Sequence, residues 1–216
     1  LGGPGGIGRY AVRVAAGLPR VEQLVVADRD AGAAAALAAA VGGPATAATV
    51  DVTDPGGLAR LLAGADVVLN CVGPYFRFGP PVLDAAIAAR CAYLDVCDDW
   101  EPTLAMLERD AAARAAGVTA VIGLGATPGV ANLLAAKAIG ALDTADTAIT
   151  GWALNAAAPA PDAPRPSAAT VHGFHQMTGR IRVWRGGRAV DEAPLQRVDL
   201  DFPGLGRRAT WTIGHP

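Results

Sequence analysis

A doubly wound, parallel α/β sheet followed by a smaller α+β region is the fold this sequence predicts, and three features predict it. Short apolar runs alternate with Ala-rich helical segments from the first residues onward. Those runs are apolar throughout rather than at every second position, as strands buried on both faces require. A glycine-rich turn, Gly3-Pro4-Gly5-Gly6-Ile7-Gly8, opens the first helix. Of the 216 residues, 49 are Ala and 27 are Gly, which makes close helix–sheet packing cheap.

The elements follow in order. The first helix carries Tyr10, Val12 and Val14. Leu24-Val25-Val26-Ala27 is a buried-strand run, and Ala31 to Val41 reads as a helix. Ala47 to Val50 is the next strand, a helix lies near Gly57 to Ala63, and Asp66-Val67-Val68-Leu69 is another strand. Pro80-Pro81 open a helix, because proline is preorganised for a first turn. Ala92 to Val96 is a strand, Asp99 caps a helix to about Ala116, and Val118 to Ile122 ends the series. Crossovers of this kind are right-handed. After Pro128-Gly129 the pattern changes to a helix from Val130 to about Ala141 and a strand around Thr147 to Leu154. Asn155 to Ser167 is an Ala/Pro loop, expected to be mobile or to drape over a surface. Ile181-Arg182-Val183-Trp184 and Gly186-Gly187 signal a hairpin, and Val198, Leu200 and Phe202 alternate like a half-buried strand. The expected division is residues 1–129 as one domain and 130–216 as part of an α+β domain.

Charge and cysteine content narrow the function. Eighteen basic against 20 acidic residues, with 5% aromatics, supply neither the basic field nor the stacking surface of a nucleic-acid partner. Cys71, Cys91 and Cys97 form no C-x-x-C pair and leave an odd count, so neither a disulfide framework nor a metal site is expected, and a reducing cytoplasm is. Ala115 to Ala136 carries no charge and is long enough to cross a bilayer. Gly117, Gly123, Gly125, Pro128 and Gly129 break it, so it reads as strand, turn and helix start, with no membrane partner.

Gly3, Gly5 and Gly8 fit G-x-G-x-x-G. The first glycine allows the tight turn, the second admits a pyrophosphate to the backbone, and the third lets helix and strand approach. The diphosphate then rests on the helix N-terminus, where Gly6 and Ile7 also lie. Asp28 ends the next strand 20 residues after Gly8, where an acid that binds the adenosine ribose belongs. The two signals together indicate a Rossmann-type domain binding NAD(P). Asp28 would accept from a ribose 2′-OH and repel a 2′-phosphate, inclining the reading to NAD, whereas Arg29 or Arg9 could bind that phosphate.

Ligands of such a sheet lie beyond the carboxyl ends of its strands. Asn70, Gly73, Pro74 and Tyr75 occupy one such end, where they would flank the ribose and nicotinamide. Asp51 occupies another, either meeting the adenine side or beginning the cap of the helix after Asp54. Asp95, Asp98 and Asp99 form a carboxylate cluster: Asp99 reads as a helix N-cap, Asp98 as solvated, and Asp95 as the one facing the cleft for acid–base work. Cys97 reads as a small buried hydrophobe. His172 and His175, three apart on a helix, could bring one imidazole to the substrate, and His175 joins Asp95 as a catalytic candidate. Arg180, Arg182, Arg185, Arg188, Arg207 and Arg208 read mainly as hairpin-surface charges, any of which could hold a substrate carboxylate.

Two families share parts of this pattern. Leu1 to Gly8, Asp51-Val52 and Asn70-Cys71-Val72-Gly73 resemble the loop and signatures of short-chain dehydrogenases. That family's Tyr-x-x-x-Lys pair is absent, because the single lysine, Lys137, has Leu133 four residues before it. The chain more closely resembles the saccharopine dehydrogenase-like NAD(P)-binding family. The likeness rests on the glycine loop, on Ala65-Asp66-Val67-Val68-Leu69-Asn70-Cys71-Val72-Gly73-Pro74-Tyr75, and on Tyr93-Leu94-Asp95-Val96-Cys97-Asp98-Asp99. It continues through Gly123-Leu124-Gly125-Ala126-Thr127-Pro128-Gly129 with Asn132. The resemblance implies an oxidoreductase moving hydride between nicotinamide and an imine, secondary amine or carbonyl of a small-molecule substrate. It further implies a second domain that supplies the substrate pocket and a homodimer contact. Members have a full first strand before the glycine loop, so the expectation is a fragment in which Leu1 alone remains of that strand and His215-Pro216 is also a cut end. The rival reading is a sensor module that holds NAD(P) without turnover. A methyltransferase-like loop is disfavoured by the joint strand-end motifs.

Overall fold

In a computed structural model, residues 1–152 and 168–215 are described. Apolar β-rich runs become strands that pair in parallel. β1 (Leu24–Asp28) pairs with β2 (Ala45–Thr49), and β3 (Val67–Asn70), β4 (Ala92–Asp95) and β5 (Ala120–Val121) form a second set in that order. Leu1 and Gly2 lie between the two sets. The Gly2 amide donates to the Ala27 carbonyl at 2.9 Å, the Leu1 ammonium to Leu69 O at 2.8 Å, and the Cys71 amide to Leu1 O at 3.0 Å. The sequence of backbones is therefore β2, β1, Leu1–Gly2, β3, β4, β5, the arrangement expected of a doubly wound sheet.

Between the strands run α1 (Gly8–Ala16), α2 (Ala31–Val41), α3 (Pro55–Leu62) and α4 (Tyr75–Ala89), then α5 (Trp100–Leu107) and α6 (Asp110–Ala116). Asp30 caps α2 by accepting from Ala33 N at 2.9 Å, and Asp54 caps α3 by accepting from Gly56 N at 3.0 Å. Ala34 and Ala38 of α2 are buried with Val12 and Val26, so alanine brings α1, α2 and β1 together. The larger cluster joins Leu58, Leu62, Val68, Val82, Leu83, Tyr93 and Met106.

Three expectations are corrected here. α4 starts at Tyr75 rather than after Pro80-Pro81, because Pro74 already provides the extended N-cap and Tyr75 is anchored by its own hydroxyl. The prolines ride inside the helix, where they remove two backbone donors. The long helix expected from Asp99 to Ala116 is two helices. The chain turns at Glu108–Arg109, where the Arg109 guanidinium reaches Asp84 of α4 at 3.1 and 3.3 Å. β5 is two residues long, because Gly123 takes a positive φ of 69° and leads the chain out of the sheet.

The chain divides into two units, Leu1–Cys97 with Glu101–Leu124, and Asp98–Trp100 with the residues from Gly125 onward. In the second are α7 (Val130–Ile139), α8 (Ala168–Gln176) and two antiparallel hairpins. β6 (Ile181–Arg185) and β7 (Arg188–Glu192) turn through Gly186 and Gly187 at φ 56° and 76°, the conformation a two-residue hairpin needs. β8 (Arg197–Phe202) pairs with β9 (Gly206–Trp211). The expected strand at 147–154 is not formed over 147–152, which are exposed. Its last two residues and the loop from Asn155 to Ser167 fall outside the described residues. Among the described residues no helix is long and apolar enough to cross a membrane, and no group of three or more potential ligands could hold a metal ion.

Candidate functional site

The glycine loop divides its tasks differently from the motif's usual allocation. A Cβ on Gly3 would lie 2.6 Å from the Val26 side chain, so this glycine allows the loop onto β1. A Cβ on Gly8 would run into the carbonyls of Gly2 and Gly3, the latter at 2.7 Å. The Gly5 amide donates to Gly2 O at 3.1 Å and closes the turn. Gly6 has nothing within 4 Å of the place a Cβ would take. The amides of Gly6, Ile7 and Gly8 have no partner among the described residues. Three donors therefore gather at the positive end of α1, those of Gly6 and Ile7 on exposed residues, an anion site in form.

Asp28 ends β1 half-buried. Its Oδ1 accepts from Asp30 N at 3.0 Å, and no partner of Oδ2 lies among the described residues. Arg29 beside it is exposed. Asp51 is also exposed, accepting at Oδ1 from the Thr53 amide at 2.9 Å and the Thr53 hydroxyl at 2.7 Å. Those bonds hold its carboxyl below the usual carboxylate range, with smaller help from the positive charges of Arg29 and Arg77. Capping of α3 falls to Asp54 rather than to Asp51.

Asn70 and Tyr75 do not face outward. Both are buried, Asn70 with no exposed surface. The Tyr75 hydroxyl donates to Asn70 O at 2.8 Å, and Asn70 Oδ1 accepts from Val72 N at 3.0 Å. Asn70 Nδ2 donates to the Tyr93 hydroxyl at 3.2 Å, which donates to Asp95 Oδ2 at 2.7 Å. Asp95 Oδ1 accepts from the amides of Cys97 at 3.0 Å and Gly123 at 2.8 Å. Burial first, and the Asp95 charge after it, keep the Tyr93 phenol well above its ordinary pKa and so protonated. Asp95, expected to face the cleft, is sealed. Gly73 and Pro74 are half-buried at the turn between β3 and α4. Tyr93 is the residue that sequence reasoning missed, although its place two before Asp95 on one strand puts both on the same face.

In the second unit His172 meets two carboxylates. Its Nε2 lies 2.7 Å from Asp98 Oδ2 and its Nδ1 2.9 Å from Asp99 Oδ1. Burial alone would lower its pKa, but the two carboxylates outweigh burial and hold it at about 9. Gln176, one turn on, donates through Nε2 to the Asp98 carbonyl at 2.7 Å. Arg182 lies over the Trp100 ring at 4.5 Å. Asp99 is therefore an ion-pair partner with no exposed side chain, and Asp98 is paired rather than simply solvated. His175 is half-buried on the same helix.

The family model of the saccharopine dehydrogenase NADP-binding domain matches residues 1–121. The chain belongs to that family. Among curated proteins, one named "Probable mitochondrial saccharopine dehydrogenase-like oxidoreductase" of Arabidopsis thaliana is 42% identical over 53 residues, 24% of this chain and 12% of the relative. The saccharopine dehydrogenase-like oxidoreductase of Bos taurus is 44% identical over 46 residues, 21% of this chain and 11% of its own length. The apo saccharopine dehydrogenase (L-Glu forming) of Saccharomyces cerevisiae is similar in structure, with a TM-score of 0.52 and 29% identity over 60% of this chain and 28% of that one. Each match thus spans well under a third of the relative's length. The Rossmann-type fold and the family expected from the strand-end motifs are both borne out.

Proposed function

We propose that this chain holds the dinucleotide of an NAD(P)-dependent oxidoreductase. The amides of Gly6, Ile7 and Gly8, at the N-terminus of α1 and without a partner among the described residues, carry the reading. These amides would hold the diphosphate, with Gly3 and Gly5 shaping the turn beneath it. Asp28 would take the adenosine ribose through its second carboxylate oxygen, while Arg29, near Asp51, would favour a 2′-phosphate. Asp28 inclines the balance toward NAD. The backbone at Gly73–Pro74 would border the nicotinamide side, with Asn70 and Tyr75 supporting that turn from beneath. When bound, the nicotinamide supplies a two-electron hydride donor or acceptor.

By kinship with the relatives above, the substrate would be a small molecule with an imine, secondary amine or carbonyl carbon, and a homodimer and a cytoplasmic setting remain part of the reading. Of the two residues expected to move a proton, Asp95 is sealed and His175 is retained. The burial of Asp95 also favours a second reading, a module that binds the cofactor without turnover. Fluorescence titration with NADH and NADPH tests the first point. Binding should weaken about tenfold or more in Gly6→Asp, which sets a carboxylate against the diphosphate. Asp28→Ser should shift preference toward NADPH, and equal titrations of both cofactors before and after the change would remove Asp28 from the site. Following absorbance of the reduced cofactor with amino-acid and keto-acid pairs separates the two readings, since binding with no turnover supports the second.

A further inference from the structure

We propose that Asp95 is the positioning residue of the cofactor site, the acceptor that sets the spacing of the turns after β3, β4 and β5. The proposal rests on the cofactor reading for what the turns serve, but its geometry stands without it. The hydrogen bonds that link Asn70, Tyr93 and Asp95 run one way, and the Tyr93 hydroxyl has a weak second acceptor in Met106 Sδ at 3.8 Å. Asn70 Nδ2 donates to Tyr93, and Tyr93 donates to Asp95. From the other side the Cys97 and Gly123 amides donate to the same carboxylate, and the Asp95 carbonyl accepts from Leu124 N at 2.8 Å. At the far end Asn70 Oδ1 holds the Val72 amide, and Asn70 O holds the Tyr75 hydroxyl. One carboxylate thus terminates a one-way chain that reaches the turn before Gly73–Pro74 and the exit of β5.

The donor count makes the chain's direction a testable property. An aspartate has acceptors only, so Tyr93 must donate to it and is left with a lone pair for Asn70. In D95N the oxygen can still serve the Cys97 and Gly123 amides. Its new NH2 group, however, faces the Tyr93 oxygen, which already receives the Asn70 amide. Two donors then converge on one phenol, and the phenolic proton is left with only the weak thioether acceptor of Met106, 3.8 Å away. In N70D the phenol instead lies between two buried carboxylates. The double variant D95N/N70D restores the count with every bond between positions 70, 93 and 95 reversed: position 95 donates to the phenol and the phenol donates to position 70. The Val72, Cys97 and Gly123 amides keep their oxygens throughout.

The experiment measures three quantities in the 216-residue chain for wild type, D95N, N70D and the double variant. These are amide hydrogen exchange over residues 71–76 and 121–124, the thermal midpoint, and the dissociation constants of NADH and NADPH. Leu62→Ala, a core truncation on α3 outside the cluster, serves as the control for general destabilisation. Each single variant should speed exchange in both segments and weaken cofactor binding roughly tenfold at a temperature where it is folded. The double variant should return affinity to within about threefold of wild type. Leu62→Ala should lower the midpoint with affinity unchanged. D95N exchanging like wild type in 121–124, or a double variant no better than the worse single, would overturn the proposal. Should wild type bind neither cofactor, the cofactor reading fails by itself, and recovery of exchange and midpoint in the double variant still decides whether Asp95 sets these turns. Tyr93→Phe, which removes the link without adding charge, covers the case in which N70D does not fold.

Discussion

Asp95 ends β4 without exposed surface and accepts from a phenol and two amides, whereas Asp98 and Asp99, a few residues on, hold an imidazole between them. The donors at Asp95 are neutral and do not titrate in the ordinary range, so that cluster depends on geometry and burial. The cluster at His172 depends on a proton. The same contrast runs through the two units. The first buries Leu58, Leu62, Val82, Leu83 and Tyr93 in one core. In the second, Leu133, Leu134 and Trp184 stand 73%, 62% and 71% exposed, and charged groups make several of the contacts, among them two ion pairs and a guanidinium over a ring. Adjacent carboxylates in a chain thus acquire different chemistry from what the fold places opposite them.

Breaking the neutral cluster should have the largest effect. Asp95→Ala strands two amides and leaves the Tyr93 hydroxyl only the weak acceptor of Met106, and should cost about 3 kcal/mol or more in urea unfolding. A loss below about 1 kcal/mol would mean water replaces the carboxylate. Gly8→Ala comes next, at about 2 to 3 kcal/mol, because its methyl meets backbone rather than a movable side chain.

The charged cluster answers to pH instead. His172 binds its proton more tightly folded than unfolded, with a pKa of about 9 against an ordinary 6.5. Its contribution is therefore full below about pH 6.5 and is lost as pH rises through about 9. The melting midpoint should fall across that window, and His172→Gln should remove that part of the slope. Parallel slopes in the two proteins would show that the pair contributes nothing.

The smallest effect belongs to Arg185→Ala. Its pair with Glu192 at 2.9 Å joins an arginine with 66% of its side chain exposed, so the urea midpoint should be indistinguishable from that of wild type.

Much of the architecture was legible locally. α2 runs from Ala31 to Val41 as read, because Asp30 caps one end and Gly42, at φ 67°, stops the other. The Gly186-Gly187 hairpin was equally plain. Both are settled by residues next to one another in the chain. The start of α4 was not, since Pro80-Pro81 mimic a helix opening, and the tie between Tyr75 and Asn70 that begins it earlier is tertiary. The site divides the same way. The positions of Asp28, Asn70 and Asp95 at strand ends follow from pattern, but whether a side chain at a strand end points in or out does not. That His172 is flanked by carboxylates could be known only once Asp98 and Asp99 were seen to meet α8.

His172 has a consequence beyond stability. The chain has three histidines, and this one has a carboxylate oxygen at 2.7 Å from one ring nitrogen and at 2.9 Å from the other. A ring set between two carboxylates, with 15% of its side chain exposed, has carbon-bound protons whose magnetic resonance signals move when the ring loses its charge. The second unit thus carries a spectroscopic beacon of its own, and its assembly can be watched through a single native side chain with no label attached.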